Sequence, residues 1–275
     1  MDALHGKLND LREYFKRLGS AAIAFSGGVD STFMLSVAAD VLPKERVLAI
    51  TVLSAFFTKR EKSEADDFCR QKGINHIFLP VDILRIDGVA QNPENRCYLC
   101  KRALFERMKR TAAENSFANV CEGANADDAF DYRPGMKAVE DLGIKSPLRS
   151  VGLTKREIRV LSKEMNLPTW DKPSFACLAS RFAYGEEITT EKLDAIEKAE
   201  ALLLSLGFTQ RRVRLHGKIA RIEILQQEFE KIINPDIRTR ICEEFSALGF
   251  SYTTIDLKGF RSGSMNETML KENVL

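Results

Sequence analysis

The chain has 275 residues, of which 44% are hydrophobic and 29% are charged, and its formal net charge is +2. This length allows one large and one small domain, and this composition excludes a wholly disordered chain. The small net charge gives no sign of a general nucleic-acid binder, and no apolar run reaches the roughly 18 residues that a membrane span needs.

The first segment, residues 3–18, has apolar residues at helical spacing and acidic residues throughout, so it predicts an amphipathic helix and not a secretion signal. We therefore expect a cytoplasmic protein. In that compartment its six cysteines stay mostly reduced, which leaves core packing, metal or cluster binding and thiol chemistry as their roles.

Strands and helices alternate through the first half of the chain. The predicted elements after the first helix are a buried strand over 21–25, a helix after a loop at 26–30, a strand over 46–53, a helix over 59–72, a strand over 76–81, a helix over 100–115, a strand over 118–122 and a fifth strand over 144–148. This alternation predicts an α/β protein with a parallel sheet covered on both faces, and ligands bind such sheets at the carboxyl ends of the strands.

The pattern changes after a helix over 154–165, which Thr154 is expected to cap. Residues 168–188 read as a long loop, followed by a helix over 190–206, strands over 211–216 and 219–224, a helical stretch within 226–248 and a strand over 250–256. We therefore predict an N-terminal domain over 1–168, an active-site loop or linker over 169–188, and a smaller C-terminal α+β domain over 189–275.

The strongest motif lies between the first strand and the second helix. We call it the glycine loop, and it consists of Ser26, Gly27, Gly28, Val29, Asp30 and Ser31. Glycines allow a tight turn whose amide groups reach phosphate oxygens, and the helix N-terminus adds unpaired donors. No GxxxxGK[ST] motif occurs in the chain. The loop thus lacks the lysine that serves γ-phosphate transfer, and it predicts a pyrophosphate cradle with attack at the α-phosphate of ATP.

The SGGVDS sequence in this setting resembles the PP-loop ATP pyrophosphatases, which form adenylates. Four further motifs narrow the resemblance to the LarE family of sulfur transferases: EGANADDAFDYRPG at 122–135, ASRFAYG at 179–185, RVRLHGKIARIE at 212–223 and LKGFRSG at 257–263. The resemblance implies a PP-loop domain that uses ATP and Mg²⁺ to adenylate a carboxylate of a pyridinium biscarboxylate mononucleotide. A sulfur nucleophile then displaces AMP and leaves a thiocarboxylate. It also implies a small nucleotide substrate, no nucleic-acid partner and a homo-oligomer.

The same resemblance assigns residues in the C-terminal half. Arg212 and Arg214 match substrate-phosphate ligands, and alternate residues of one strand lie on one face, so both can reach one phosphate. Ser180 and Arg181 match positions nearby, and Glu200 and Glu223 match acidic positions of the site. Without the resemblance, an Arg-x-Arg strand is more typical of a solvated face.

Three acidic residues follow the strand at 118–122, and they are candidates for Mg²⁺ binding beside the triphosphate: Asp127, Asp128 and Asp131. The alternative for each is a capping or turn-forming role.

Three cysteines form the second set of candidates. In one LarE type the cysteine at the position of Cys177 gives up its own sulfur, but this chain also has Cys97 and Cys100, which that type lacks. Cys97 and Cys100 are spaced i, i+3 near a helix start, so their sulfurs can face one way. With Cys177 they supply three ligands, and we predict a [4Fe-4S] cluster that carries a transferable sulfide, as in a three-cysteine LarE subgroup.

Other interpretations of these thiols stay open. They are a zinc site, a redox dithiol at Cys97 and Cys100, and a sacrificial Cys177 without a cluster. Cys69 and Cys121 are predicted to be core residues.

Two other functions of the protein also stay open. One is tRNA thiolation, in which RNA phosphates would be bound by Arg211, Arg212, Arg214 and Arg221. The other is a nucleotide- or cluster-sensing protein without turnover.

Overall fold

The computed structural model describes residues 3–56, 59–130, 134–173, 176–261 and 263–266. The chain forms two compact units. The first consists of Met1–Ile86 and Asn95–Phe175, and the second of Asp87–Glu94 and Ala176–Leu275. The inclusion of Asp87–Glu94 in the second unit had no signal in the sequence, and the division predicted at 168–189 stays a prediction.

The first unit is a parallel sheet with helices on both faces, so the predicted α/β class is confirmed. Its strands are β1 (Ala21–Ala24), β2 (Val47–Leu53), β3 (Asn75–Pro80) and β4 (Val120–Cys121), and its helices are α1 (Ala3–Leu18), α2 (Val29–Val41), α3 (Lys59–Lys72), α4 (Arg96–Glu114), α5 (Pro134–Asp141), α6 (Pro147–Ser150) and α7 (Lys155–Glu164). The strand order is β3-β2-β1-β4, with every pairing parallel.

The central position of β1 explains its composition. Ala21, Ala22 and Ile23 are buried, because β2 and β4 pair with its edges while helices cover its faces. One face packs against the core that α1, α2 and α7 share, and the other against side chains of α4 and α5. The glycine loop leaves the carboxyl end of this strand, which is where parallel sheets bind ligands.

Two predictions about this unit need correction. The fifth strand over 144–148 is absent from the described part of the chain: Lys145 makes a single bridge to Cys121, and Pro147 begins α6. Proline has no amide hydrogen for a strand ladder and favours the first position of a helix. Helix α4 begins at Arg96 and not at Cys100, which places Cys97 and Cys100 together in its first turns.

The second unit is a small α+β domain, as predicted. Its strands are β5 (Arg211–His216), β6 (Ile219–Ile224) and β7 (Tyr252–Ile255), and its helices are α8 (Thr190–Ser205), α9 (Phe229–Ile233) and α10 (Pro235–Ala247). The order is β5-β6-β7, with β5 antiparallel and β7 parallel to β6. The long predicted loop contains one 3₁₀ turn, Leu178–Arg181, which precedes α8.

Asp87–Glu94 is held in the second unit by the chain that follows this turn. Asn92 is fully buried, and its side-chain amide donates to the Ala183 carbonyl at 2.6 Å. The Asn92 and Ala90 carbonyls accept hydrogen bonds from the Gly185 and Ile188 amides at 2.9 and 2.8 Å. Asn92 has a φ of 52°, and asparagine tolerates this left-handed conformation better than most residues. Within the described ranges, no helix is long and apolar enough to cross a membrane.

Candidate active site

The glycine loop has the internal hydrogen bonds of a preformed turn. The Ser26 and Ser31 hydroxyl groups lie 3.1 Å apart, and the Ser31 hydroxyl donates to the Gly28 carbonyl at 3.2 Å. Gly27 has a φ of 67°, which a side chain would strain. Gly28 stands at the N-cap position of α2 and has no side chain, so the first amide groups of α2 remain for an anion.

Asp30 is the acidic residue of this loop, and Lys155 at the start of α7 forms an ion pair with its Oδ2. The second oxygen, Oδ1, is buried and has no hydrogen-bond partner among the described residues. Burial raises the pKa of Asp30 above its ordinary value, even though Lys155 opposes that shift, and the nearby charge of Asp128 adds to it. A carboxylate in this condition is suited to a further cation.

The carboxylate of Asp128 accepts a hydrogen bond within its own turn, whereas that of Asp127 accepts one from a residue distant in the sequence. Asp127 Oδ2 accepts the Lys155 amide at 2.8 Å, and Asp128 Oδ2 accepts the Asn125 amide at 2.9 Å. Asp131 lies outside the described residues. Within the described ranges, no group of three histidine, cysteine or acidic residues is arranged to hold a metal ion. Mg²⁺ needs only one or two carboxylates when phosphates and water complete its shell, so Mg²⁺ beside Asp30 remains chemically reasonable.

Gly123, just after β4, lets that strand approach the glycine loop closely. A Cβ atom at this position would lie 3.3 Å from the Ser31 nitrogen and 3.5 Å from the Asp30 Cβ. Both neighbours belong to the loop that is expected to hold pyrophosphate. The small size of residue 123 is therefore a requirement of the loop geometry.

We expect Gly123→Ala to weaken ATP binding, because displacing a tightly packed neighbour costs about 1–3 kcal/mol. Calorimetric titration of ATP with Mg²⁺ checks this result. Gly6→Ala is the matched control, since Gly6 lies in α1 with open space around it and alanine favours a helix. Equal ATP affinity in Gly123→Ala and the wild type would show that the contact does not set the loop.

Lys172 is a second lysine that reaches the glycine loop. Its ammonium donates to the Gly27 carbonyl at 2.8 Å and to Glu64 Oε2 at 2.6 Å. Arg159 holds the same segment, because it donates to the Trp170 and Lys172 carbonyls, each at 2.7 Å. These bonds fasten the segment after α7 to the loop.

A cleft of about 480 Å³ opens beside the loop within the first unit. The Phe25 and Phe68 rings line it, with the Thr32 and Thr169 hydroxyl groups and several charged side chains. In the described part of the chain, neither threonine hydroxyl has a hydrogen-bond partner. Apolar walls with a few unsatisfied polar groups are typical of small-molecule sites.

The second unit contains a buried group of charges that we call the arginine cluster: Arg181, Arg212, Arg214, Glu200 and Glu223. Arg181, 2% exposed, donates from Nε and Nη2 to the two oxygens of Glu200, each at 2.8 Å. The Val213 amide donates to the same carboxylate at 3.0 Å. Burial alone would raise the pKa of Glu200, but Arg181 and these hydrogen bonds outweigh it and hold that pKa below its ordinary value.

Arg214 and Glu223 form the other ion pair of the cluster. Arg214 donates from Nη2 and Nε to Glu223 Oε2 at 2.8 and 3.1 Å, and Ser264 donates to Glu223 Oε1 at 2.7 Å. Both arginines also hold the 3₁₀ turn: Arg214 donates to the Ser180 carbonyl at 2.8 Å, and Arg181 donates to the Cys177 carbonyl at 2.9 Å. The cluster therefore fixes the backbone on either side of residue 179.

The positive charge of Arg212 is disfavoured in this cluster. Burial lowers its pKa to about 10, and the charges of Arg181 and Arg214 contribute to the shift despite the two glutamates. The guanidinium lies 5.2 Å from the centre of the Phe260 ring. Since Arg212 and Arg214 are 3% and 5% exposed, the solvated-face interpretation of this strand is wrong.

The chain as a whole is similar to several known proteins. A family model described as NAD synthase matches residues 6–194. The chain is 40% identical over 268 residues to the uncharacterised protein slr1717 of Synechocystis sp., covering 98% of this chain and 100% of the relative. It is 30% identical over 202 residues to a subunit of the glutamine-hydrolysing GMP synthase of Methanocaldococcus jannaschii, covering 66% of this chain and 62% of that subunit.

A further relative decides the family. Over 271 residues the chain is 36% identical to the pyridinium-3,5-bisthiocarboxylic acid mononucleotide synthase of Lactiplantibacillus plantarum, with 98% of each chain covered. The chain belongs to the LarE family. It is thus a member of the wider PP-loop group of ATP-dependent enzymes, as the glycine loop predicted.

The six cysteines of this LarE family member all lie outside disulfides. Cys69 and Cys121 are buried, as predicted, and burial raises the pKa of each thiol to about 12, so neither is a nucleophile. Cys97 and Cys100 are half-buried in the first unit, where Arg96 donates to the Cys97 sulfur at 3.3 Å. Cys177 is exposed and belongs to the second unit.

Three residues of the loop site were missed in the sequence: Gly123, Lys155 and Lys172. Lys155 is 125 residues from Asp30, and Lys172 is 145 residues from Gly27, so no local pattern connects them. The sequence signal near Lys155 was the helix start, because the Thr154 cap directly precedes Lys155 at the start of α7.

Proposed function

We propose that this LarE family member is an ATP-dependent sulfur transferase that converts a carboxylate of pyridinium-3,5-biscarboxylic acid mononucleotide to a thiocarboxylate. The observation that carries the proposal is the buried arginine cluster, in which three guanidinium groups lie among two carboxylates. A bound phosphate would add negative charge to this group of residues. The relative at 36% identity is named as the synthase of the corresponding bisthiocarboxylic acid.

In the first step, a carboxylate oxygen of the substrate attacks the α-phosphorus of ATP. The bond from this phosphorus to the bridging oxygen breaks, pyrophosphate leaves, and an acyl adenylate forms. The amide groups at the start of α2 and the Ser26 and Ser31 hydroxyl groups would bind the departing pyrophosphate. The cleft lined by Phe25 and Phe68 would hold the nucleoside.

Mg²⁺ fits this site, because the buried Oδ1 of Asp30 lacks a partner among the described residues. Asp30 would hold the ion, and Asp128 is close enough to influence the charge of Asp30. When bound, Mg²⁺ neutralises charge on the phosphate oxygens. Contributions of Asp127 and Asp131 to holding the ion are part of the same proposal.

In the second step, a sulfur nucleophile attacks the acyl carbon, and AMP departs with the electron pair of the carbon–oxygen bond. Arg212 and Arg214 would bind the substrate phosphate, as buried guanidinium groups bind phosphate strongly. Glu200 and Glu223 act through Arg181 and Arg214, which they hold in place, so we assign them positioning roles. Ser180 lies in the turn that both arginines fasten.

We also propose that Cys97, Cys100 and Cys177 bind a [4Fe-4S] cluster. What supports the proposal is that Cys97 and Cys100 share the first turns of α4 and that all three cysteines lie outside disulfides, although the described residues hold no ready-made group of three metal ligands. Three cysteine ligands would leave one iron of a bound cluster open to sulfide.

Anaerobic reconstitution with iron and sulfide tests the cluster. The wild type is expected to bind about four iron atoms per chain, and Cys97→Ser or Cys100→Ser to lose most of them. Cys242→Ser is the control, because Cys242 is an exposed thiol outside the motif. Full iron content and repeated turnover in Cys97→Ser would contradict the assignment, and loss of one H₂S from Cys177 after a single turnover would support a sacrificial cysteine.

The experiment for the whole proposal supplies ATP, Mg²⁺, sulfide and the biscarboxylate mononucleotide. We expect pyrophosphate and AMP to be released and the substrate mass to rise by the exchange of oxygen for sulfur. Absence of pyrophosphate would favour a sensing protein.

The tRNA alternative loses support because Arg211, Arg212 and Arg214 are buried instead of forming an RNA-facing surface. A homo-oligomer remains a proposal for sedimentation to test.

A further inference from the structure

Lys155 differs from an ordinary surface lysine in how both of its ends are held. Its backbone amide donates to Asp127 Oδ2 at 2.8 Å, and its ammonium pairs with Asp30. Lys155 therefore binds two carboxylates near the glycine loop. Its backbone amide binds Asp127, and its charged ammonium binds Asp30.

The start of α7 gives Lys155 a fixed anchor. Thr154 caps the helix and forms a capping box with Glu157. Lys7 donates to both oxygens of Glu157 at 2.8 and 2.9 Å and to the Gly152 carbonyl at 2.8 Å. The backbone of residue 155 is thus held in place, while its four-carbon side chain can rotate about that position.

The pair with Asp30 is only partly buried. The side chains of Lys155 and Asp30 are 29% and 21% exposed, so water still screens their attraction. The Asp30 Oδ1 is buried and has no hydrogen-bond partner in the described ranges. A buried carboxylate oxygen without a partner can accept a second cation. The ammonium of Lys155 therefore binds only one of the two carboxylate oxygens of Asp30.

We propose that Lys155 is a substitute cation for the nucleotide-free site. Its ammonium holds Asp30 until the divalent ion that accompanies the nucleotide binds this carboxylate, and the released ammonium then pairs with a phosphate oxygen. This inference rests on the proposed use of ATP and Mg²⁺ at the glycine loop. It makes Lys155 a residue that exchanges partners during binding, beyond its ion pair with Asp30.

The exchange predicts two effects of opposite sign. Without the Lys155 charge, a divalent ion at Asp30 no longer competes with an ammonium and is not repelled by it, so the ion binds more tightly in the absence of nucleotide. The nucleotide, however, loses one cationic partner and binds more weakly. If Lys155 served only to stabilise the fold, its removal would weaken the binding of both the divalent ion and the nucleotide.

Mn²⁺ binding measured by electron paramagnetic resonance on the full-length protein, without nucleotide, tests the first effect. Lys155→Met is expected to bind Mn²⁺ about tenfold more tightly than the wild type, given the repulsion between a divalent ion and an ammonium a few ångströms away. Lys155→Arg keeps the charge and should stay near the wild type. In Asp30→Asn this binding should be lost.

Titration of a non-hydrolysable ATP analogue at saturating Mn²⁺ tests the second effect, and Lys155→Met should bind it about tenfold more weakly. Lys16→Met is the control, because it also removes a lysine paired with a carboxylate, at an exposed position on α1. Lys155→Gln, which keeps a polar side chain, should follow Lys155→Met and serves if the methionine variant fails to fold.

Equal or weaker Mn²⁺ binding in folded Lys155→Met or Lys155→Gln would overturn the inference, even if ATP binding is normal. If the wild type binds no ATP analogue at all, the proposed function fails instead. A gain in Mn²⁺ affinity would then still support the competition at Asp30 but overturn the transfer of Lys155 to phosphate.

Discussion

Glu200→Gln is expected to lower the free energy of unfolding by about 3–5 kcal/mol, because it leaves the buried Arg181 without its counter-charge. Arg181 donates to both oxygens of Glu200, and an amide would oppose one of these donors with its own N–H groups. The Val213 amide shares this carboxylate. Urea unfolding followed by circular dichroism measures the change.

Lys198→Ala on the same helix is the matched control. It also breaks a carboxylate–cation pair, but Lys198 and Asp194 are 62% and 60% exposed, so we expect almost no change. If Glu200→Gln unfolds at nearly the same urea concentration as Lys198→Ala, the buried pair does not stabilise the unit.

The pH dependence of stability gives an independent check of Glu200. Its pKa in the folded protein lies below its ordinary value of 4.5, so the unfolded chain binds this proton more readily. The stabilisation is therefore complete above about pH 4.5 and is lost as the pH falls through the folded-state pKa. We expect Glu200→Gln to show a shallower loss of stability than the wild type as the pH falls below about 4.5.

Arg212→Met is expected to weaken binding of the biscarboxylate mononucleotide by about 2–5 kcal/mol, since a buried charge partner of the phosphate is removed. The same change should leave stability within about 1 kcal/mol of the wild type. Burial and the neighbouring arginines already disfavour the Arg212 charge, so its loss removes a cost together with the contact to Phe260. Isothermal titration and thermal unfolding measure the two quantities.

The dephosphorylated nucleoside is the control ligand for this prediction. It lacks the group that Arg212 is proposed to bind, so the wild type and Arg212→Met should bind it with the same affinity. A uniform loss for both ligands would mean that the substitution disturbs the whole site. A stability loss like that of Glu200→Gln, with normal nucleotide binding, would assign Arg212 to the fold and remove it from the substrate site.

The glycine loop and its α/β setting could be predicted because their signals are local. A continuous apolar run marked β1, two glycines and a serine marked the turn, and the spacing of Phe33, Met34 and Val37 marked α2. Each of these depends on neighbours within a few residues. The capping of α7 by Thr154 was equally local and is confirmed.

The partners in both sites could not be predicted by such signals. The pairs Asp30–Lys155, Gly27–Lys172 and Arg181–Glu200 join residues from separate elements, and only the folded chain brings them together. Pro147 shows a different limit: a strand was predicted over 144–148, but Pro147 lacks the amide hydrogen that a strand ladder needs, and a helix begins there instead. Burial also shows that Arg212 and Arg214 do not lie on a solvated face, as the Arg-x-Arg pattern alone suggested.

The eight residues from Asp87 to Glu94 have a practical consequence for anyone who wishes to produce the C-terminal unit by itself. A fragment that starts at residue 176 omits Asn92 and Ala90, and the Gly185 and Ile188 amides lose the carbonyls that satisfy them. During synthesis, moreover, this short piece leaves the ribosome about 90 residues before its first partners, since Ala183 follows Asn92 by 91 residues. Assembly of the C-terminal unit must therefore wait until both of its segments have been made, and no single cut in the chain separates the two units.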